Sequence, residues 1–165
     1  MTAVRLLPIL LVLVLAAPAV RAEPAEDGRD LPRFVSLRAT QVNLRSGPGV
    51  RYPIEWVYLQ RDLPMEVIQV FDDWRKVRDW EGTEGWMHRS MLSNVRTLRV
   101  SGPVADLLSQ PDPAAPRIAK VEGGVIGRLL ACPGNSAFCR VGVGGTTGWL
   151  PRGAFWGVYR GETVK

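Results

Sequence analysis

The sequence predicts an all-β chain: two small five-stranded antiparallel barrels in tandem, set behind an N-terminal signal peptide. Three observations carry this. Glycine and proline are abundant, 17 and 13 among 165 residues, and turns at that frequency suit short strands better than long helices. The body of the chain repeats itself at a period of about 63 residues. Between the punctuating Gly, Pro, Asn and Asp residues, apolar side chains alternate over short stretches, the two-residue period of a strand with one buried face.

Residues 1–22 read as a secretory signal peptide. Arg5 supplies the positive start, Leu6 to Ala17 the apolar run, and Val20-Arg21-Ala22 the small residues before a cut. The run is too short to span a bilayer, which takes about 20 apolar residues. No cysteine follows the cut to carry a lipid, so no stable membrane anchor is expected after cleavage. Cleavage after Ala22 removes Arg5 and Arg21 and lowers the formal charge from +5 to +3. The address implies a periplasmic protein. Residues 23–34 are polar, contain Pro and Gly and lack periodicity, and read as a flexible lead-in.

The first unit, residues 35–97, and the second, residues 98–163, match segment by segment. Val42-Asn43-Leu44-Arg45-Ser46-Gly47-Pro48 parallels Ala105-Asp106-Leu107-Leu108-Ser109-Gln110-Pro111. Trp74-Arg75-Lys76-Val77 parallels Phe138-Cys139-Arg140-Val141, and Gly85-Trp86-Met87 parallels Gly148-Trp149-Leu150. In the first unit the alternation predicts strands near 40–45, 55–60, 65–71, 74–80 and 84–87. Asp72-Asp73 makes a tight turn, and a single helical or 3₁₀ turn spans residues 89–92.

These residues resemble the bacterial Src-homology-3 (SH3b) family in tandem. The resemblance rests on Val42-Asn43-Leu44-Arg45-Ser46-Gly47-Pro48-Gly49, on Trp74-Arg75-Lys76-Val77 and on Gly85-Trp86-Met87, and covers nearly the whole chain after residue 22. It is closest to exported two-domain proteins of Gram-negative, alphaproteobacterial type. The resemblance implies SH3-like barrels and a binding role, often directed at cell-wall peptides, without catalysis. The second unit departs from the pattern, with Gln110 and Asp112 where Gly47 and Gly49 stand.

Aromatic residues supply the candidate ligand site. Set against Ile118-Ala119-Lys120-Val121, the stretch Trp56-Val57-Tyr58-Leu59 places Val57 and Leu59 inside and turns Trp56 and Tyr58 outward. Outward Trp and Tyr are rigid amphipathic contact area of the kind that dominates binding hot spots; the alternative is that these rings glue the two barrels together. Tyr52 and Trp80 stand in loop-like stretches without aromatic counterparts in the second unit. Tyr52, Trp56, Tyr58 and Trp80 are therefore the predicted lining of an apolar groove. Trp74, Trp86 and Trp149, or a ring equivalent to them, recur in both units, which reads as core or barrel closure.

Cys132 and Cys139 flank the turn-rich Pro133-Gly134-Asn135-Ser136-Ala137-Phe138, and an exported chain favours a disulfide between them. A nucleophilic cysteine needs a base beside it, and the one histidine, His88, lies in the other unit and reads as incidental. One His and two Cys also exclude the usual zinc constellations, so no metal or other cofactor is expected. The second unit is the more basic, yet no Lys/Arg cluster is dense enough for a nucleic-acid groove. The carboxylates read as solvated turn residues rather than a glycosidase pair. The functional expectation is a non-enzymatic envelope protein that recognises peptidoglycan or its stem peptides. A protein–protein scaffold of the cell envelope is the alternative, and a part in a cell-wall hydrolase system the remote one.

Overall fold

The computed structural model describes residues 30–165; the signal peptide and most of the lead-in lie outside the described residues. The first unit contains β1 (Arg33–Leu37), β2 (Val42–Arg45), β3 (Ile54–Tyr58), β4 (Pro64–Phe71), β5 (Trp74–Arg78) and β6 (Glu84–His88), then a 3₁₀ turn (Arg89–Met91) and β7 (Leu92–Ser93). The second repeats them as β8 (Thr97–Val100), β9 (Val104–Leu108), β10 (Arg117–Glu122), β11 (Ile126–Ala131), β12 (Phe138–Val143), β13 (Thr146–Pro151), a 3₁₀ turn (Arg152–Ala154) and β14 (Phe155–Trp156).

Each unit forms one antiparallel sheet of seven strands, in the orders β3-β2-β6-β5-β4-β1-β7 and β10-β9-β13-β12-β11-β8-β14. The fold is all-β, two SH3-like barrels in tandem. Five strands per unit are expected from the sequence, at the places taken by β2 to β6. The two additions are β1 and the two-residue β7, which pair with each other. β1 begins at Arg33, inside the stretch read as flexible lead-in, and Phe34 is buried. The Leu-Pro-Arg-Phe-Val-Ser-Leu stretch offers too few alternations for the period to show.

Two separate cores fill the barrels. Leu37, Val42, Leu44, Met65, Val67, Val77 and Met87 are buried in the first; Leu98, Val100, Leu107, Val141 and Leu150 are buried in the second. Turn chemistry sets the hairpins. Asp72 adopts φ 49° in the two-residue β4–β5 turn, and Gly144 and Gly145, at φ 57° and 80°, make the β12–β13 turn, the positive-φ pair a two-residue hairpin demands.

The expected orientation of β3 is reversed. Tyr58 is 5% exposed and lies in the core, whereas Val57 is 38% and Leu59 74% exposed. The strand registers show why. Val42 pairs with Tyr58 and Ala105 with Val121; Asn43 pairs with Val57 and Asp106 with Lys120. Tyr58 therefore corresponds to Val121, not Lys120. A one-residue slip in aligning the repeats moves every side chain to the opposite face. Trp56 shares the side of Tyr58 and stands opposite buried Leu44, yet on the edge strand it is still 58% exposed.

The disulfide forms as expected, between Cys132 and Cys139, and joins β12 to the end of β11. In the first unit the same two places hold the cross-strand pair Val70 and Arg75. The second unit thus carries a longer hairpin loop closed by a covalent link. Cys132 also forms a backbone bridge with Val164, which ties down the C-terminal segment. Closing this eight-residue loop stabilises the folded chain by about 2.5 kcal/mol in the chain-entropy model. Thiol labelling of the native protein should find no reactive cysteine, and reductant should lower the melting temperature of the second barrel. Stoichiometric labelling before reduction would refute the link.

Candidate functional site

The outer face of the first sheet gathers its unused aromatics. In β5 and β6 the inner positions Val77, Gly85 and Met87 are buried, so Trp74, Lys76, Trp86 and His88 point the other way and are half-buried. Lys76 and Arg45 each stand opposite Trp86. Trp74 and His88 meet edge to face at 5.5 Å, and Phe71 and Trp86 at 6.5 Å. Phe71 is 57% exposed.

A shallow cavity of about 280 Å³ opens on this face, lined by Gln41, Asn43, Arg45, Val50, Trp74 and His88. Loop 46–53 forms its wall. Arg45 holds that loop, its Nη1 donating to the carbonyls of Val50 (3.0 Å) and Tyr52 (2.7 Å). The Tyr52 ring lies over Gly47, where any Cβ would come within 2.5 Å of it; this is the reason for glycine in Ser46-Gly47-Pro48. His88 Nδ1 lies 2.7 Å from Ser90 Oγ and caps the 3₁₀ turn. Beside the aromatics, Lys76 and Arg78 bind Glu84 at 2.8 and 2.7 Å. The hydrogen bonds from Lys76, then Arg78, hold the Glu84 carboxyl below its ordinary range. The face therefore combines ring area, hydrogen-bond donors and positive charge. Among the described residues no group of three or more His, Cys, Asp or Glu could hold a metal ion.

The four sequence-predicted residues do not share this cavity. Tyr58 points inward and its hydroxyl donates to Asp79 Oδ2 at 2.8 Å. Burial first, and that hydrogen bond second, push its pKa well above the ordinary 10.0. Trp80 packs edge-on against Tyr58 at 6.4 Å and is covered by Arg99 of the second unit, 4.3 Å above the ring. Trp80, read from the sequence as a loop residue lining the groove, is thus a ring joining the barrels, the role the alternative gave to Trp56 and Tyr58. Tyr52 braces the loop that walls the cavity, and Trp56 is exposed on the edge strand β3.

Trp74, Trp86 and Trp149 are not core residues. Each is half-buried and outward, Trp149 lying between buried Gly148 and Leu150. Recurrence in both units is equally consistent with a ring on the outer face, and alternation with Met87 and Leu150 carries the signal that separates the two. His88 shares the face of Trp86 by the same alternation.

A bacterial SH3 domain model matches residues 38–94 and again 101–157. The chain belongs to the bacterial SH3 domain family. No curated protein matches the sequence. Among solved structures, this SH3 pair is similar to NlpC2 from Trichomonas vaginalis, with 17% identity over 75% of this chain and 47% of that one, TM-score 0.35. It is also similar to NlpC1 from Trichomonas vaginalis, with 15% identity over 89% of this chain and 50% of that one, TM-score 0.35. The SH3 pair thus spans about half the length of either structure.

Proposed function

We propose that this chain is an exported, non-enzymatic binding protein of the bacterial envelope whose first SH3 domain holds peptidoglycan or its stem peptides on the outer face of β2, β5 and β6. The observation that carries the reading is the half-buried Trp74–His88 pair beside Arg45 and the braced loop 46–53. Sugar and peptide ligands need ring faces for their C–H groups and fixed polar groups for orientation. The signal-peptide pattern supports a periplasmic address, and the membership of a family often found on cell-wall ligands supports the ligand class.

Trp74→Ala combined with His88→Ala should weaken co-sedimentation with purified sacculi about tenfold or more, the loss expected at a hot spot. The Tyr58 and Trp80 rings serve packing, which leaves Tyr52 and Trp56 of the four sequence-predicted aromatics as ligand contacts. Co-sedimentation unchanged by the double variant would remove this face from the site. A second reading draws on the edge strand: Ile54, Trp56 and Val57, with Val50 and Leu59 beside them, are exposed apolar residues. Failure to sediment with sacculi, together with crosslinking of one envelope protein through Trp56, would favour the scaffold.

A further inference from the structure

Each barrel sets three residues in a row across the outer face of its sheet, and the registers make the two rows equivalent. In the first unit Glu66 stands opposite Arg78, and Arg78 opposite Glu84. In the second Arg128 stands opposite Gly142, and Gly142 opposite Thr147. Val77 and Val141, matched in the repeat, immediately precede Arg78 and Gly142. Glu66, Arg78 and Glu84 therefore correspond to Arg128, Gly142 and Thr147.

The chemistry of the two rows differs. Arg78 fills the middle of the first, its Nη1 3.2 Å from Glu66 and its Nη2 2.7 Å from Glu84. A guanidinium between two carboxylates closes that face with an ion triad. In the second row the middle side chain is absent, one acid has become an exposed arginine and the other an exposed threonine. The neighbours of Arg128 on the flanking strands are Gly142 and Thr97, neither of them acidic.

A cavity of about 410 Å³ opens at Gly142, lined by Arg128, Thr147 and Thr97, with Ile126 and Leu130 as its apolar wall. That volume lies in the range of small-molecule sites. Thr97 is 2% exposed, and its hydroxyl has no hydrogen-bond partner among the described residues. Buried polar groups are nearly always partnered, so a lone hydroxyl beside a cavity marks a position for a ligand atom. Asp62 lines the cavity from the first unit. Its amide donates to the Leu37 carbonyl at 3.0 Å, and its carboxylate lies 3.8 Å from Arg61. A cation from one barrel and an anion from the other thus bound the same space.

We propose that this cavity binds a small zwitterion, an amino acid or a dipeptide. Its carboxylate lies against Arg128 in the gap left by Gly142, its ammonium is directed toward Asp62, and the Thr97 hydroxyl supplies a further hydrogen bond. A gap that has lost its guanidinium and gained an arginine at its side suits a carboxylate. Asp62 disfavours a plain anion and favours a ligand that also carries positive charge. Ile126 and Leu130 suit a short apolar side chain. The site shares no residue with the aromatic face of the first barrel, so either can fail while the other stands.

Calorimetric titration of the protein with alanine and with alanyl-alanine, in a low-salt buffer free of carboxylates, tests the site. Each ligand is compared with its C-terminal amide and its N-acetyl form. Amidation should weaken binding about tenfold or more, the loss expected for charge-assisted hydrogen bonds, and acetylation should weaken it about threefold or more. The tighter of the two parent ligands gives the length that spans Arg128 and Asp62. Arg128→Gln, at an exposed position, should remove the preference for a free carboxylate. Gly142→Leu should fold and lose binding, since a Cβ there lies 3.8 Å from Leu130 Cδ1 and 3.9 Å from Arg128 Cβ, ordinary contact. Thr97→Val should cut affinity about threefold without lowering the melting temperature of the ligand-free protein, because the hydroxyl has no bond there to lose. A threonine with a purely structural role would move the melting temperature instead. No saturable binding of either ligand, affinity indifferent to amidation, full binding by Arg128→Gln and Gly142→Leu, or a Thr97→Val variant that binds like the parent would overturn the proposal.

Discussion

Alanine at Gly85 or at Gly148 destabilises its own barrel by about 1–3 kcal/mol, the cost of forcing extra volume into a close-packed site. A Cβ on Gly85 would stand 2.5 Å from Leu44 Cγ and 2.9 Å from the Arg45 carbonyl oxygen. On Gly148 it would stand 2.7 Å from Leu107 Cγ and 2.8 Å from the Leu108 carbonyl oxygen. The side chain can shift, but the carbonyl belongs to the facing strand and moves only with the sheet. Closure of each barrel, β6 onto β2 and β13 onto β9, thus depends on a residue without a side chain. The next residue, Trp86 or Trp149, is on the outer face. The repeated Gly-Trp doublet therefore has two jobs, an approach inside and a ring outside. Denaturant unfolding, followed by the fluorescence of the adjacent tryptophan, measures the effect. Gly153→Ala is the control, since a Cβ there meets nothing within 4 Å. A Gly85→Ala midpoint equal to the control's would disprove the packing argument.

The elements most legible in the sequence were those whose side chains alternate against punctuating turns. β4 and β5, joined at Asp72-Asp73, and β6 with its 3₁₀ turn lie where alternation places them. So do the repeat and the disulfide, the one read from spacing and the other from two cysteines flanking a turn-rich segment. The site was less legible because its residues are assigned to a face by parity. Parity survives only when two strands are aligned without error, and the Tyr58–Lys120 match was displaced by one. The β-bulge where the β2–β3 register shifts between Leu44 and Arg45 is the sort of irregularity that hides such a displacement.

Phe34→Ala should cost about 3 kcal/mol, the lower end for removal of a buried phenyl ring, and should separate the unfolding of the two barrels. Phe34 is 7% exposed, yet its ring partners belong to the second unit: Trp156 edge-on at 4.8 Å and Tyr159 at 4.6 Å, with Arg96 at 5.7 Å. Around it Tyr159 donates to Glu66 at 2.9 Å, and Ile126 packs against the first core. A ring in β1 thus holds down the C-terminal segment, so loss of Phe34 loosens the second barrel's end as well as the contact between barrels. Calorimetry should resolve one transition into two, whereas Phe71→Ala, on an exposed ring, should leave the profile unchanged. Alkali probes the same contact. Burial and the Glu66 hydrogen bond raise the Tyr159 pKa above 10.0, so its stabilisation is complete below that pH and is lost as pH rises beyond it. Tyr58 shifts in the same direction, and Tyr159→Phe separates the two by removing only the interface phenol. A single transition in Phe34→Ala, displaced by less than about 1 kcal/mol, would show the barrels to be coupled by the backbone of residues 94–96 rather than by this cluster.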